Sequence, residues 1–368
     1  MFTSTCFMPN KLEKNLLELI QIALGNRVEL SSDLNNGEWN GLFELVQKQA
    51  ITGLALLALD KISKQNKLPL QILYNWIALD ECIKSRNLLL NKRCVELTNF
   101  FEENNFDCCI LKGQGNARLY PHPLCRESGD IDIWVKGEKE NIISFVKTQY
   151  PYAEDTGYHI DFPVFNDVEV EVHYRPSYIR SPKYNILIND YYNSRIEEQF
   201  SNRVSLNGVD GYVNVPTFDF NVIYQLVHIM HHFFDYGLGL RQIIDYYYLL
   251  DNYQNKDKRT EIEYIIKELH LQNIAGAVMW VLHYSLGLDS VHLVSVPDKK
   301  RGKLMLKEIM KCGNMGKYDN RLSGKMRYKY PYFSKFVRGI KLGMYFPYEV
   351  WITPLLGIID RKIGYCHR

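Results

Sequence analysis

The spacing of apolar residues divides this chain into a helical stretch, a mixed stretch and a second helical stretch. From residue 11 to 104, Leu16, Leu17, Ile20 and Ala23, then Leu42, Leu45 and Val46, recur at the rhythm that lays one apolar stripe along a helix. The segment 70–103 holds neither Pro nor Gly, which predicts a single long helix ended at Asn104–Asn105. Cys108-Cys109-Ile110-Leu111 then reads as a short buried strand. A short helix over Asn116–Tyr120 and a loop with Pro121 and Pro123 lead to a strand over Asp130–Val135. Lys139–Tyr150 has the pattern of an amphipathic helix. Tyr158–Phe165 and Val168–Tyr174 follow as strands, the second in strict V-E-V-E-V-H-Y alternation, with a hairpin turn at Asn166–Asp167. After Pro216 the helical rhythm returns over Phe220–Phe234, Arg241–Tyr253 and Glu261–Leu286, with the Gly237–Gly239 region as a break. The pattern is α+β: a small mixed β-sheet flanked by N-terminal and C-terminal helical regions, with expected boundaries at 1–104, 105–200 and 201–368.

Composition narrows the setting without naming a chemistry. The 368 residues suffice for two or three domains, and 46% hydrophobic with 23% charged residues is ordinary for a globular chain. A net charge of +2 gives no bulk attraction to nucleic acid or an anionic membrane, so any phosphate recognition is local. Eight cysteines (Cys6, Cys82, Cys94, Cys108, Cys109, Cys125, Cys312 and Cys366) match no zinc spacing and are expected to be reduced thiols in a cytoplasmic protein. The N-terminus lacks the pattern of a secretory signal. Uncharged runs at Leu342–Tyr348 and Val350–Ile359 stop at Glu349 and Asp360, short of the roughly 20 residues of a membrane span. The basic run 298–330 (KKRGKLMLKEIMK, then GKMRYKY) is expected to be a solvated helix and loop.

The chemistry concentrates in residues 110–135. Asp130 and Asp132 stand two apart inside an apolar run, so on a strand both carboxylates emerge on one face while isoleucines bury on the other. Like charges that close call for a neutralising cation, and hard oxygen donors suit Mg²⁺. On the later strand, Glu169, Glu171 and His173 share a face, with Glu171 the candidate third ligand or base and Glu169 in reserve. Upstream, Gly113-Gln114-Gly115 ends a strand and opens a helix, a place where backbone N–H groups meet anions. Lys112, Arg118 and Arg126 lie nearby, and the fork of Arg126 matches phosphate oxygens best.

The run L-K-G…L-Y-x-x-P-x-x-R-x-x-G-D-I-D-I-x-V followed by V-E-V-H-Y resembles the bacterial uncharacterised nucleotidyltransferase family, within the DNA polymerase β-like nucleotidyltransferase superfamily. The resemblance covers residues 108–175 and extends more loosely through His228-x-x-His231, Gly239-Leu240-Arg241 and Asp245. It implies a nucleotidyltransferase core in which Asp130, Asp132 and Glu171 are catalytic and metal-binding. Lys112, Gly113, Gln114, Gly115, Arg126 and Ser128 would be nucleotide-binding. It also implies a Mg²⁺-dependent transfer of a nucleoside monophosphate from ATP or another nucleoside triphosphate to the hydroxyl of an unidentified acceptor, releasing pyrophosphate. The superfamily usually places Ser after the loop glycine, where this chain has Gln114, leaving Gln114 or Ser128 to take that role. That departure motivates a rival reading, an inactive nucleotide-binding or regulatory protein on the same fold; a metal-dependent phosphohydrolase is a third.

Other clusters have plainer expectations. His228, His231, His232 and Asp235 share a helix and read as packed or hydrogen-bonded histidines ahead of a zinc or second metal site, with a middle option in which one of them reaches the cleft and contacts nucleotide or acceptor. Arg241 and Asp245, four apart, are expected to pair with each other. Tyr191–Tyr192 and Tyr246-Tyr247-Tyr248 read as core rather than base-stacking platforms.

Overall fold

The computed structural model describes residues 8–62, 68–253, 258–319, 339–353 and 355–356. It opens with α1 (Lys11–Ala23), α2 (Asn36–Lys48), α3 (Thr52–Leu59) and α4 (Leu70–Glu103). Asn10 and Asn35 cap the first two by accepting the backbone N–H of Glu13 and Glu38, whose carboxylates return the bond. The long helix α4 starts after Pro69 and runs uninterrupted, as the absence of Pro and Gly predicts. Among the described residues, the 11–104 stretch holds four helices.

The sheet follows. After β1 (Cys108–Ile110) come α5 (Gln114–Ala117), β2 (Ile131–Val135), α6 (Lys139–Gln149), β3 (His159–Asp161) and β4 (Val170–His173). The strand order is β1-β2-β4-β3, with β2 and β4 parallel and both outer pairs antiparallel. The chain continues through α7 (Pro182–Asn193), α8 (Ile196–Ser201), a two-stranded ribbon of β5 (Arg203–Val204) and β6 (Val213–Asn214), α9 (Phe218–His231) and α10 (Leu240–Asp251). Then come α11 (Arg259–Glu268), α12 (Gln272–Trp280) and α13 (Lys299–Cys312). Helices α9 and α12 each widen into a π-turn at their C-terminal ends, His232–Tyr236 and Val281–Leu286.

Alternation along the strands divides the apolar residues between two cores. Ile131, Ile133 and Val135 pack with Val170, Val172 and the C-terminal half of α4, including Leu90, Leu97 and Phe101. Trp134 and Cys109 point the other way, into a larger core with α9, α10 and α12. Vicinal Cys108 and Cys109 thereby fall one in each core, and both are free thiols, as are Cys82, Cys94, Cys125 and Cys312. Cys6 and Cys366 lie outside the described residues.

The described part of the basic run is a helix with a solvated face, as expected, but its other face is core. Lys299–Cys312 is a helix whose Leu304, Met305, Leu306, Ile309 and Met310 are buried, so its lysines line only the outward side of a core element. The GKMRYKY stretch and Asp360 lie outside the described residues. Tyr191, Tyr192 and Tyr246 to Tyr248 are core residues. Among the described residues, no helix is long and apolar enough to cross a membrane.

Candidate functional site

The parallel pairing of β2 with β4 sets Asp132 directly beside Glu171. Asp130 precedes β2 by one residue, and the three carboxylates present oxygens that all lie within 4.8 Å of one another. Glu169 is exposed and stands before β4, outside this cluster. Lys112 Nζ sits 2.6 Å from Asp132 Oδ1, and His173 Nε2 approaches the same oxygen at 2.9 Å. Burial alone would raise Asp132, but Lys112 and His173 overcome it and hold the carboxyl well below the usual carboxylate range. Asp130 is raised, first by the Asp132 charge and then by burial. Burial pulls Lys112 down, while Asp132, Asp130 and Glu171 more than restore it.

The glycine turn is built more tightly than its pattern suggests. Gly113 adopts a φ of +54°, the left-handed region that glycine occupies without strain. The amides of Gly115, Asn116 and Ala117 are used within the turn, on the carbonyls of Lys112 and Gly113. Gly115 is a packing position, since a Cβ there would stand 3.1 Å from the Ile110 carbonyl oxygen. The Gln114 side chain is buried away from the cavity and donates to Asn91 and to the Asn87 carbonyl of α4. Ser128 lies outside the cavity as well and accepts a hydrogen bond from Arg126.

Arg126 lines the cavity, but its fork is already engaged. Nε and one terminal nitrogen donate to the two Asp245 oxygens, each at 2.7 Å, in a bidentate pair. Phosphate would have to displace a buried carboxylate from it. The expected Arg241–Asp245 pair does not form. Arg241 donates instead to the Glu127 carbonyl, and its Nε has no hydrogen-bond partner among the described residues.

The carboxylates face a cavity of about 250 Å³ whose far wall comes from α9, its π-turn and the start of α10. His228, His231 and His232 all reach it, where the middle option from sequence had one. His231 bonds the Tyr178 carbonyl oxygen at 2.6 Å, whereas burial keeps His228 well below its ordinary value and pushes His232 down to about 3. Tyr158, Tyr178, Tyr224 and Tyr236 complete an aromatic lining. Asn116 and Arg241 add buried polar atoms without partners, Nδ2 and Nε. These two were not singled out as site residues from sequence. Nothing in a linear pattern distinguishes a side chain aimed into a cavity from one aimed past it.

A family model described as uncharacterised nucleotidyltransferase matches residues 35–287. No curated protein matches the chain. Among solved structures, the chain is similar to an antigenic nucleotidyltransferase-like protein from Paracoccidioides brasiliensis, at 12% identity and a TM-score of 0.33. The match covers 57% of this chain and 95% of that one.

Proposed function

The chain belongs to the uncharacterised nucleotidyltransferase family, and from that premise we propose that it moves a nucleoside monophosphate from a nucleoside triphosphate to an acceptor hydroxyl. The new bond joins the hydroxyl oxygen to the α-phosphorus, the bond to the bridging oxygen breaks, and pyrophosphate leaves. The observation that carries this reading is the meeting of Asp130, Asp132 and Glu171 at the wall of a polar and aromatic cavity.

The donor set fits a hard divalent cation. Asp130 forms no ion pair among the described residues, and its neighbours' negative charge raises it, so the cluster is left short of positive charge. Mg²⁺ held by Asp130, Asp132 and Glu171 would neutralise charge on the phosphate oxygens. Lys112 reaches the same point from the glycine turn and pairs with phosphate or with Asp132. Asn116 and Arg241, which line the cavity, replace Gln114, Ser128 and Arg126 as the side chains that hold the remaining phosphates. Glu171 completes the donor set or takes the proton of the attacking hydroxyl. Neutral His228 and His232 and the surrounding tyrosines keep water from the reacting atoms.

A second reading, a nucleotide binder without turnover, draws on Gln114 facing α4 and on Lys112 already paired to Asp132. Incubation with each labelled nucleoside triphosphate and cell extract separates the two. Transfer of label with pyrophosphate release by the wild type, lost in Asp130→Ala/Asp132→Ala, supports the enzyme. Labelled product that survives the double change removes the carboxylates from the mechanism. Metal-independent binding without product favours the binder.

A further inference from the structure

The acidic cluster is not the only set of convergent donors on this sheet. His159 on β3 is registered directly across from His173 on β4, and Glu171 stands two residues before His173 on the same face. His159 Nδ1 lies 3.3 Å from Glu171 Oε2, and His173 Nε2 lies 3.4 Å from the same oxygen. His173 Nε2 also faces Asp132 Oδ1 at 2.9 Å, a hydrogen bond that ligation would replace, leaving Lys112 as the partner of Asp132. We propose that His159, Glu171 and His173 form a second cation site that takes a borderline transition ion such as Zn²⁺, sharing Glu171 with the Asp130–Asp132 cluster.

The spacing is that of a coordination shell. Tetrahedral bonds of about 2.0–2.1 Å place neighbouring donor atoms about 3.3 Å apart, which the two Glu171 contacts match. All three donor atoms lie within 4.8 Å of one another. His159 is only 7% exposed, yet its Nδ1 makes no hydrogen bond despite the carboxylate beside it. A buried imidazole nitrogen facing a carboxylate without a hydrogen bond is costly, and a metal between them removes the cost. The other nitrogen, Nε2, faces the Asp161 carboxylate at 3.6 Å. A carboxylate behind a ligating histidine favours the tautomer whose lone pair points at the metal.

The chemistry of the donors sets the selectivity. Two imidazoles and one carboxylate favour zinc and its neighbours over Mg²⁺, which prefers oxygen and water. Three protein ligands leave a tetrahedral ion with one open position. The acidic cluster and the histidine cluster thus differ in softness while meeting at Glu171. The site stands whether or not nucleotide is transferred, because the histidine pair, not the acidic triad, defines it.

The test uses the full chain, stripped of metal and titrated with Co²⁺ and with Zn²⁺. An intense visible Co²⁺ absorption, displaced by Zn²⁺, is expected in the wild type. Asp130→Ala should keep that band, while His159→Ala should weaken Zn²⁺ affinity by about 100-fold or more, beyond the loss typical of a supporting residue. X-ray absorption of the Zn²⁺-loaded wild type should show imidazole scattering, a readout that does not depend on any variant folding. A wild-type spectrum with only weak, octahedral Co²⁺ bands, a zinc shell without imidazole, or a band unchanged in folded His159→Ala would each overturn the site. Absence of nucleotidyl transfer by the wild type, with its Co²⁺ band present, would sink the proposed enzyme and leave this site standing.

Discussion

Asp132 and His232 face one cavity and respond to acid for opposite chemical reasons. His232 is held neutral because burial excludes its charge, so its folded value of about 3 lies below the ordinary 6.5. The unfolded chain binds a proton there below pH 6.5 that the folded chain refuses. The stabilisation is therefore complete above pH 6.5 and is lost as pH falls toward 3. At pH 5 that one group costs about 2 kcal/mol. His232→Phe should accordingly flatten the fall in denaturant stability between pH 7 and pH 5, while an unchanged slope would show that His232 titrates normally. Asp132 works through pairing: held down by Lys112 and His173, it adds stability above the ordinary 3.8 that disappears as pH falls further. Lys112→Met removes the first of these partners and should bring that acid loss to higher pH, read from unfolding midpoints measured with chelator present.

At the scale of elements, the Arg126–Asp245 pair fastens the loop before β2 to α10, across 119 positions of sequence. Both side chains are almost fully buried, so removing one leaves the other charged and unpaired. Asp245→Asn or Arg126→Met should cost about 3–5 kcal/mol in urea unfolding, and replacing both with apolar residues should recover much of it. A small, additive loss would mean that the pair is solvated. The helix pair α12–α13 offers a steric counterpart, since a Cβ at Gly302 would stand 2.5 Å from Trp280 Cβ. Gly302→Ala should cost about 1–3 kcal/mol through overpacking, measured by thermal melting, and a neutral change would show that α13 can shift outward. Such contacts explain what the sequence could and could not disclose. Helix α4 was legible because the Pro/Gly-free run and the Asn104–Asn105 stop act locally, and the facing of Asp130 and Asp132 followed from two-residue alternation. The β2–β4 register, the engagement of Arg126 and the burial of Gln114 against Asn91 depend on partners far along the chain, which no local period encodes. The buried face of α13 is hidden for a related reason: the lysines mark its solvated side, and long cationic side chains cover a helix whose other face is core.

Across the whole molecule, one thin sheet separates two apolar cores, and α4 contributes to both. The larger core carries α9 and α10, whose side chains supply the cavity wall opposite the carboxylates. A ligand that satisfies both walls therefore couples the sheet to the helical half, and its binding energy adds to the stability of both. At a concentration one hundred times its dissociation constant, such a ligand adds about 2.7 kcal/mol. Hydrogen exchange reads where that stabilisation goes. With Mg²⁺ and a nucleoside triphosphate present, amides of β2 and β4 should slow together with those of α9 and the start of α10. Asp132 and Glu171 lie on the first pair, and His228 and Arg241 lie on the second. Slowing confined to the sheet would place the nucleotide on the carboxylates alone and remove Arg241 from phosphate binding. Slowing confined to the helices would detach the cavity from the metal cluster altogether.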